Sequence, residues 1–203
     1  MTRTFWIILG LIVVVVGGFA SMMSFGSSGS GSGIERRVPW RKPVPPAEVD
    51  TVSVTPGVLA VPVAGVPRKA IADSWNDARG GGLRGHHGTD IMAPGGTAVV
   101  AAAPGRVEKL FQSGLGGITL YVRSPDRRWT YYYAHLAGYA AGIREGMAVK
   151  AGDTLGYVGD TGDAGAGNYH LHFGLTKMQP GERWYQGENV NPYPMLAGTG
   201  SSR

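Results

Sequence analysis

Beyond about residue 97 the apolar positions come in short runs rich in β-branched and aromatic residues, broken by Pro, Gly and Asp. That is the pattern of short strands joined by turns. Residues 97–103 (TAVVAAA) run into the turn Pro104-Gly105, and residues 106–111 (RVEKLF) form the next strand candidate. Residues 118–123 (ITLYVR) and 129–135 (WTYYYAH) flank Ser124-Pro125-Asp126, which reads as a hairpin-like turn. Residues 154–159 and 169–176 add two more strands, and the stretch from Val149 to Asp153 reads as a turn entering one of them. Helical periodicity of useful length is missing after the amino terminus. The predicted class is all-β with short strands.

The amino terminus is patterned differently. Arg3 precedes an apolar stretch at 5–16 that continues with small and apolar residues to Phe25. Counted to Phe25, this is a run of 21 residues without a charge. As a helix it would be about long enough to cross a hydrocarbon core of about 30 Å. Counted strictly, it is a 12-residue apolar core, which suits a signal peptide. Gly18-Phe19-Ala20 also places small residues where cleavage before Ser21 would need them. Flanking charge does not choose, because Arg3 lies on one side and Arg36, Arg37, Arg41 and Lys42 on the other. The reading favours an uncleaved N-terminal hydrophobic helix over 1–25 that anchors the chain in a membrane with the rest outside the cytoplasm. The alternative is a cleaved signal and a secreted protein. Residues 24–33 (SFGSSGSGSG) read as flexible linker, and 36–46 as an extended Pro-rich basic segment, so 26–49 is expected to connect rather than pack. Residues 50–66 suggest short strands or an extended arm on a domain edge. The folded unit is expected over 50–196, with a flexible tail over 197–203.

Composition narrows this only a little. The 34 Gly and 13 Pro among 203 residues fit a turn-rich β protein. A net charge of +5 favours polyanions such as cell-wall polymers, lipid headgroups or nucleic acid without choosing among them. No Lys/Arg-rich run is interleaved with aromatics, so nucleic acid is not expected as a partner. Cys is absent, which excludes disulfides, Cys-ligated zinc and lipidation through Cys.

The chemistry concentrates in the five His. In Tyr169-His170-Leu171-His172-Phe173, strand alternation puts His170 and His172 on one face and Leu171 and Phe173 on the other, towards a core. Alone, this H-x-H also fits two partly exposed strand His with no metal. In His86-His87-Gly88-Thr89-Asp90, an imidazole and a carboxylate four residues apart across a Gly turn can meet at one point. Zinc takes imidazole nitrogen and carboxylate oxygen at about 2 Å, and catalytic sites keep one position for water. His87 lacks the four-residue spacing and reads as a neighbour or surface residue. In Tyr131-Tyr132-Tyr133-Ala134-His135-Leu136, a regular strand puts Tyr131, Tyr133 and His135 on one face. By itself His135 fits a core or edge strand equally well. Four such His and one Asp in a chain with no other His but His87 are hard to explain as packing. A mononuclear His/Asp/His centre brings the pKa of its water towards about 7, and neutral imidazoles beside it can move protons.

These segments, in this order, resemble the lysostaphin/LytM-type zinc metallopeptidases. His86-x-Gly88-x-Asp90-Ile91 resembles the first metal motif of that family. The stretch from Ala93-Pro94-Gly95-Gly96-Thr97 to Pro104-Gly105-Arg106-Val107 resembles its following turn and strand. Tyr133-Ala134-His135-Leu136 resembles its catalytic His segment. Gly152-Asp153-x-Leu155-Gly156 and Gly159-x-Thr161-Gly162 resemble its glycine framework, and His170-Leu171-His172-Phe173 its closing motif. The resemblance covers about Asp73 to Pro192. It implies a compact, antiparallel, barrel-sandwich-like sheet with a groove. It implies one Zn2+ per chain held by His86, Asp90 and His172, with His135 and His170 as catalytic histidines. It also implies the peptide part of peptidoglycan as substrate, at the bacterial cell envelope, and leaves a regulatory protein partner open. Tyr133, through its phenol, and Asn168, towards substrate backbone, are candidate substrate-binding residues. The loop 159–167 (GDTGDAGAG) is expected as a mobile rim, with Asp160 and Asp163 solvated. A non-catalytic relative that binds cell wall or activates a hydrolase is the rival reading, though such relatives lose a ligand or a catalytic His. A lipoyl-like carrier shares Gly-Asp-x-Leu-Gly but has no use for this His set.

Overall fold

The computed structural model describes residues 58–79 and 84–198. The expected anchor or signal at 1–25, the linker at 26–49, the start of the arm and residues 199–203 of the tail lie outside the described residues. Among the described residues, no helix is long and apolar enough to cross a membrane.

A two-stranded ladder of β1 (Ala78–Arg79) and β2 (Arg84–Gly85) precedes the main sheet. The main sheet holds β3 (Thr89–Met92), β4 (Ala98–Val100), β5 (Gly105–Ser113), β6 (Gly117–Arg123), β7 (Trp129–Tyr139), β8 (Ala148–Val149), β9 (Thr154–Val158), β10 (His170–Lys177) and β11 (Glu188–Val190). All its pairings are antiparallel, in the order β11-β10-β7-β6-β5-β8, with β3 on β10 and β9 joining β7 to β4. Strand β7 pairs β10 over Trp129–Ala134 and β9 over Leu136–Tyr139, so the sheet curls back on itself around one core. Among the described residues, helical content is a 3-10 turn at Arg68–Ala70 and one short helix, α1 (Tyr193–Ala197), closed by Gly198 at φ 77°.

The alternation predicted from sequence sets the core. Leu120 and Val122 of β6 and Leu171, Phe173 and Leu175 of β10 are buried, together with Val99, Val107, Leu136, Leu155 and Val158. Each such side chain contributes roughly 1.5–3 kcal/mol on full burial. The described part of the arm runs beside β4: Ala60 N–H donates to Ala102 O, Val100 N–H to Pro62 O and Ala64 N–H to Ala98 O. This gives the extended edge segment that the Pro-broken apolar run suggested. The short strands β3, β8 and β11 and the helix α1 were not foreseen; at two to five residues each, they carry too few positions to show a period.

One expected face is wrong. Tyr131 and Tyr133 point into the core, but His135 does not join them. Between β6 and β7 the register moves from Leu120↔Tyr133 to Ile118↔Leu136, two residues on β6 against three on β7. The extra residue is a β-bulge, and His135 sits in it at φ 59°. The bulge turns the imidazole to the face of Tyr132 and Ala134. Tyr133, expected to bind substrate, is instead fully buried; its phenol oxygen accepts the Ala102 N–H at 2.9 Å and its ring packs 5.3 Å from that of Phe173. Tyr133→Phe should therefore lower stability by about 1–2 kcal/mol by leaving the Ala102 N–H unpaired. Urea denaturation measures this, and an unchanged unfolding curve with weakened substrate binding would return the phenol to the groove.

Candidate metal centre and groove

Strand β10 lies between β3 and β7, and its register brings three distant side chains together. His172 is directly opposite Asp90 on one side and Ala134 on the other. His86 follows β2 and reaches the same point across the turn at Gly88. A Cβ at Gly88 would meet the His172 ring at 2.5 Å and the Phe173 carbonyl at 2.9 Å, so no other residue fits without displacing the cluster. The contact atoms form a triangle. His86 Nε2 is 2.9 Å from Asp90 Oδ1 and 2.8 Å from His172 Nδ1, and His172 Nδ1 is 3.0 Å from Asp90 Oδ1.

The donor set fits one small divalent ion. A tetrahedral ion with bonds of about 2.0–2.1 Å holds neighbouring ligand atoms about 3.3 Å apart, close to the observed edges. Two imidazoles and one carboxylate are the side chains a borderline ion prefers, and among the described residues no Lys or Arg lines the surrounding groove. His86 Nδ1 lies 2.5 Å from the Ser74 carbonyl, which can only accept, so Nδ1 carries the proton and Nε2 turns its lone pair to the centre. Ser74 also holds Asp90, since its Oγ accepts the Asp90 N–H at 3.0 Å. Burial works to raise the Asp90 pKa, but contacts with His172 and His86 outweigh it and hold the carboxyl well below the usual range. Burial lowers the His172 pKa, with Asp90 opposing.

A cavity of about 810 Å³ opens over this triangle. His135 and His170 face it with ring centroids 4.8 Å apart. Each is oriented from behind: His135 Nδ1 lies 2.8 Å from the Thr161 carbonyl, and His170 Nδ1 lies 2.8 Å from the Asn168 carbonyl. In the neutral rings Nδ1 therefore donates and Nε2 accepts. His170 Nε2 comes to 3.8 Å from Asp90 Oδ1. Burial lowers the His135 pKa below its ordinary value.

Of the residues singled out from sequence, His86, Asp90, His172, His135 and His170 meet here, and Asn168 lines the groove with its side chain donating to Ala164 O. His87 also lines the groove, with its ring 5.5 Å from that of Trp75. Asp160 accepts the Gly167 N–H, and Asp163 borders the groove. The rim loop is firmly tied at its start. Thr161 Oγ1 accepts the Ile118 N–H and donates to Leu136 O, and Gly117, at φ 65°, leaves no room for a Cβ against Thr161. Sequence reading missed Ser74, Tyr132 and Thr161. Two of them act through main-chain carbonyls, which leave no mark in a sequence. Tyr132 stood one position from the favoured Tyr133.

The sequence pattern of Peptidase family M23 matches residues 84–192, more than half of the chain. The chain belongs to this family. The M23 chain is 38% identical over 129 residues to the L-Ala–D-Glu endopeptidase of Bacillus subtilis, covering 61% of this chain and 38% of that protein. It is 34% identical over 93 residues to the peptidoglycan DD-endopeptidase ShyC of Vibrio cholerae, covering 46% of this chain and 21% of that protein. This M23 chain thus spans well under half the length of the curated relatives it matches. Among solved structures it resembles the catalytic domain of the antimicrobial peptidase lysostaphin from Staphylococcus simulans. That match has a TM-score of 0.52 and 26% identity, and covers 62% of this chain and 90% of that one.

The lowered pKa of His135 has a consequence for stability. Below its ordinary value of 6.5, the unfolded chain takes up a proton at this position that the folded chain refuses. Its contribution is complete above about 6.5 and is lost on acidification towards the lowered value. Metal-free protein should unfold at lower urea at pH 5 than at pH 7.5, and His135→Gln should flatten that dependence. An unchanged slope in the variant would show that His135 titrates normally.

Proposed function

We propose that this chain is a zinc-dependent metalloendopeptidase of the bacterial cell envelope that hydrolyses peptide bonds in peptidoglycan stem peptides or cross-links. The carrying observation is the convergence of His86, Asp90 and His172 on one point, with the acceptor nitrogens of His135 and His170 turned to the same cavity. His86 Nε2, Asp90 Oδ1 and His172 Nδ1 would hold one Zn2+. Such an ion supplies Lewis acidity, polarising a carbonyl oxygen and making water more acidic at neutral pH.

The remaining work belongs to the chain's own residues. His135 and His170 would take a proton from the attacking water and return one to the leaving amine; in the protonated form they would stabilise negative charge developing on the scissile oxygen. Thr161 and Asn168 carbonyls keep both rings in the tautomer with Nε2 forward. The Asn168 side chain and the main chain of the 159–168 loop would hydrogen-bond substrate backbone at the groove rim. The two curated relatives are named for different bonds, so the reading extends to stem peptide or cross-link. Residues 1–25 would tether or export the enzyme, with the M23 domain outside the cytoplasm.

The full chain should release peptide fragments from purified peptidoglycan, and a chelator should abolish this. His172→Ala should lose zinc and activity together. His135→Ala should keep zinc and lose about 10²–10⁴-fold in rate. Full zinc stoichiometry in the His172 variant would refute the ligand assignment. Activity should also fall on the acid side as the imidazole ligands take up protons.

A further inference from the structure

An aromatic ladder leaves the metal centre along the face of the sheet. His172 and Tyr132 have ring centroids 5.8 Å apart, Tyr132 and Tyr121 4.6 Å, and Tyr121 and Trp184 4.8 Å. The first rungs follow from register: Lys109, Tyr121, Tyr132 and Gly174 are consecutive cross-strand partners on β5, β6, β7 and β10. Gly174 has no side chain, and the Tyr132 ring lies against it. Beyond Tyr121 the ladder widens. Trp184 packs 5.1 Å from Phe111 and 5.2 Å from Tyr185, and Phe111 and Tyr185 are 40% and 58% exposed.

The loop that presents Trp184 and Tyr185, 178–187, is built rather than loose. Gln179 N–H donates to Glu182, Arg183 N–H to Gln186 Oε1 and Gln186 N–H to Arg183 O. Buried Arg123, paired with Glu108, donates to Glu182 O at 3.3 Å. Thus the Arg123–Glu108 ion pair, buried on its Arg side, holds the aromatic loop on the sheet.

We propose that Phe111, Tyr121, Trp184 and Tyr185 form a saccharide-stacking subsite that holds the glycan carrying the cleaved peptide. This rests on the peptidoglycan reading above. A pyranose ring offers a C–H face to an aromatic face and hydroxyls at its edge. The patch supplies both partners: exposed rings flanked by the Lys109–Glu145 pair and by Arg183, which donates to the Tyr185 hydroxyl. It is continuous with the groove through Tyr132. The ring-to-ring steps put Trp184 within about 15 Å of His172, the reach of four or five extended residues at about 3.3–3.6 Å each. A stem peptide bound at the centre would therefore bring its attached sugar to the patch.

The test compares the full chain with Tyr185→Ala and Trp184→Ala, using circular dichroism to confirm folding. Soluble glycan strands stripped of peptide should bind wild type saturably by saturation-transfer NMR and bind each variant at least tenfold more weakly. With a disaccharide-bearing peptide, KM should rise about tenfold at unchanged kcat, whereas the same peptide without sugar should be cleaved equally by all three. Absence of saturable glycan binding to wild type overturns the proposal. So does an equal loss on both substrates, or a patch that instead controls self-association or binding of a protein partner. Glycan binding without cleavage of either substrate would uphold the subsite and sink the hydrolase reading.

Discussion

The register of β10 between β3 and β7 is the constraint on which the site depends. His172 faces Asp90 across one ladder and Ala134 across the other. Because side chains alternate, a slip of one residue would send both imidazoles into the core and bring Leu171 and Phe173 into the groove. Those two side chains are fully buried, so the hydrophobic effect opposes the slip with several kcal/mol. The core therefore holds His172 and Asp90 together from behind the groove. Gly88 completes the arrangement by letting the His86 turn approach the His172 ring.

A second regularity concerns orientation. His86, His135 and His170 each turn Nδ1 to a main-chain carbonyl, of Ser74, Thr161 and Asn168 respectively. A carbonyl cannot donate, so each contact selects one tautomer and directs the other nitrogen forward. The three carbonyls come from two loops, Ser74 from the segment before β1 and Thr161 and Asn168 from the β9–β10 loop. The site is thus assembled by strands but aimed by loops. His135 adds a local cost, since a non-glycine residue at φ 59° is held there by the surrounding structure. Its N–H bond to Gly116 O and the clamp of Thr161 on the 116–118 turn supply that hold.

Charge is distributed unevenly. The chain carries a net +5, yet among the described residues no Lys or Arg lines the groove. A cation beside the triangle would compete with a bound ion for the Asp90 carboxylate.

Much of this was legible in the chain itself. The all-β class, the β6–β7 hairpin, the facing pair His170 and His172, and the His86–Asp90 spacing follow from local periodicity and turn chemistry. Period and spacing act over a few residues, and one sequence displays them. The face of His135 did not follow, because a bulge is defined by counting residues on two paired strands, and only pairing reveals the count. Alternation puts Tyr132 and Tyr133 on opposite faces of β7, but only packing showed that the face of Tyr133 is the core and that of Tyr132 the groove. Ser74 and Thr161 aim the imidazoles through carbonyl oxygens that every residue possesses, and their hydroxyls bind main-chain groups far away in sequence, so no local pattern marks them. The sequence by itself determined which chemical groups this protein could bring to a centre. Only the tertiary structure decided where they point, because direction is set by contacts between segments far apart in the chain.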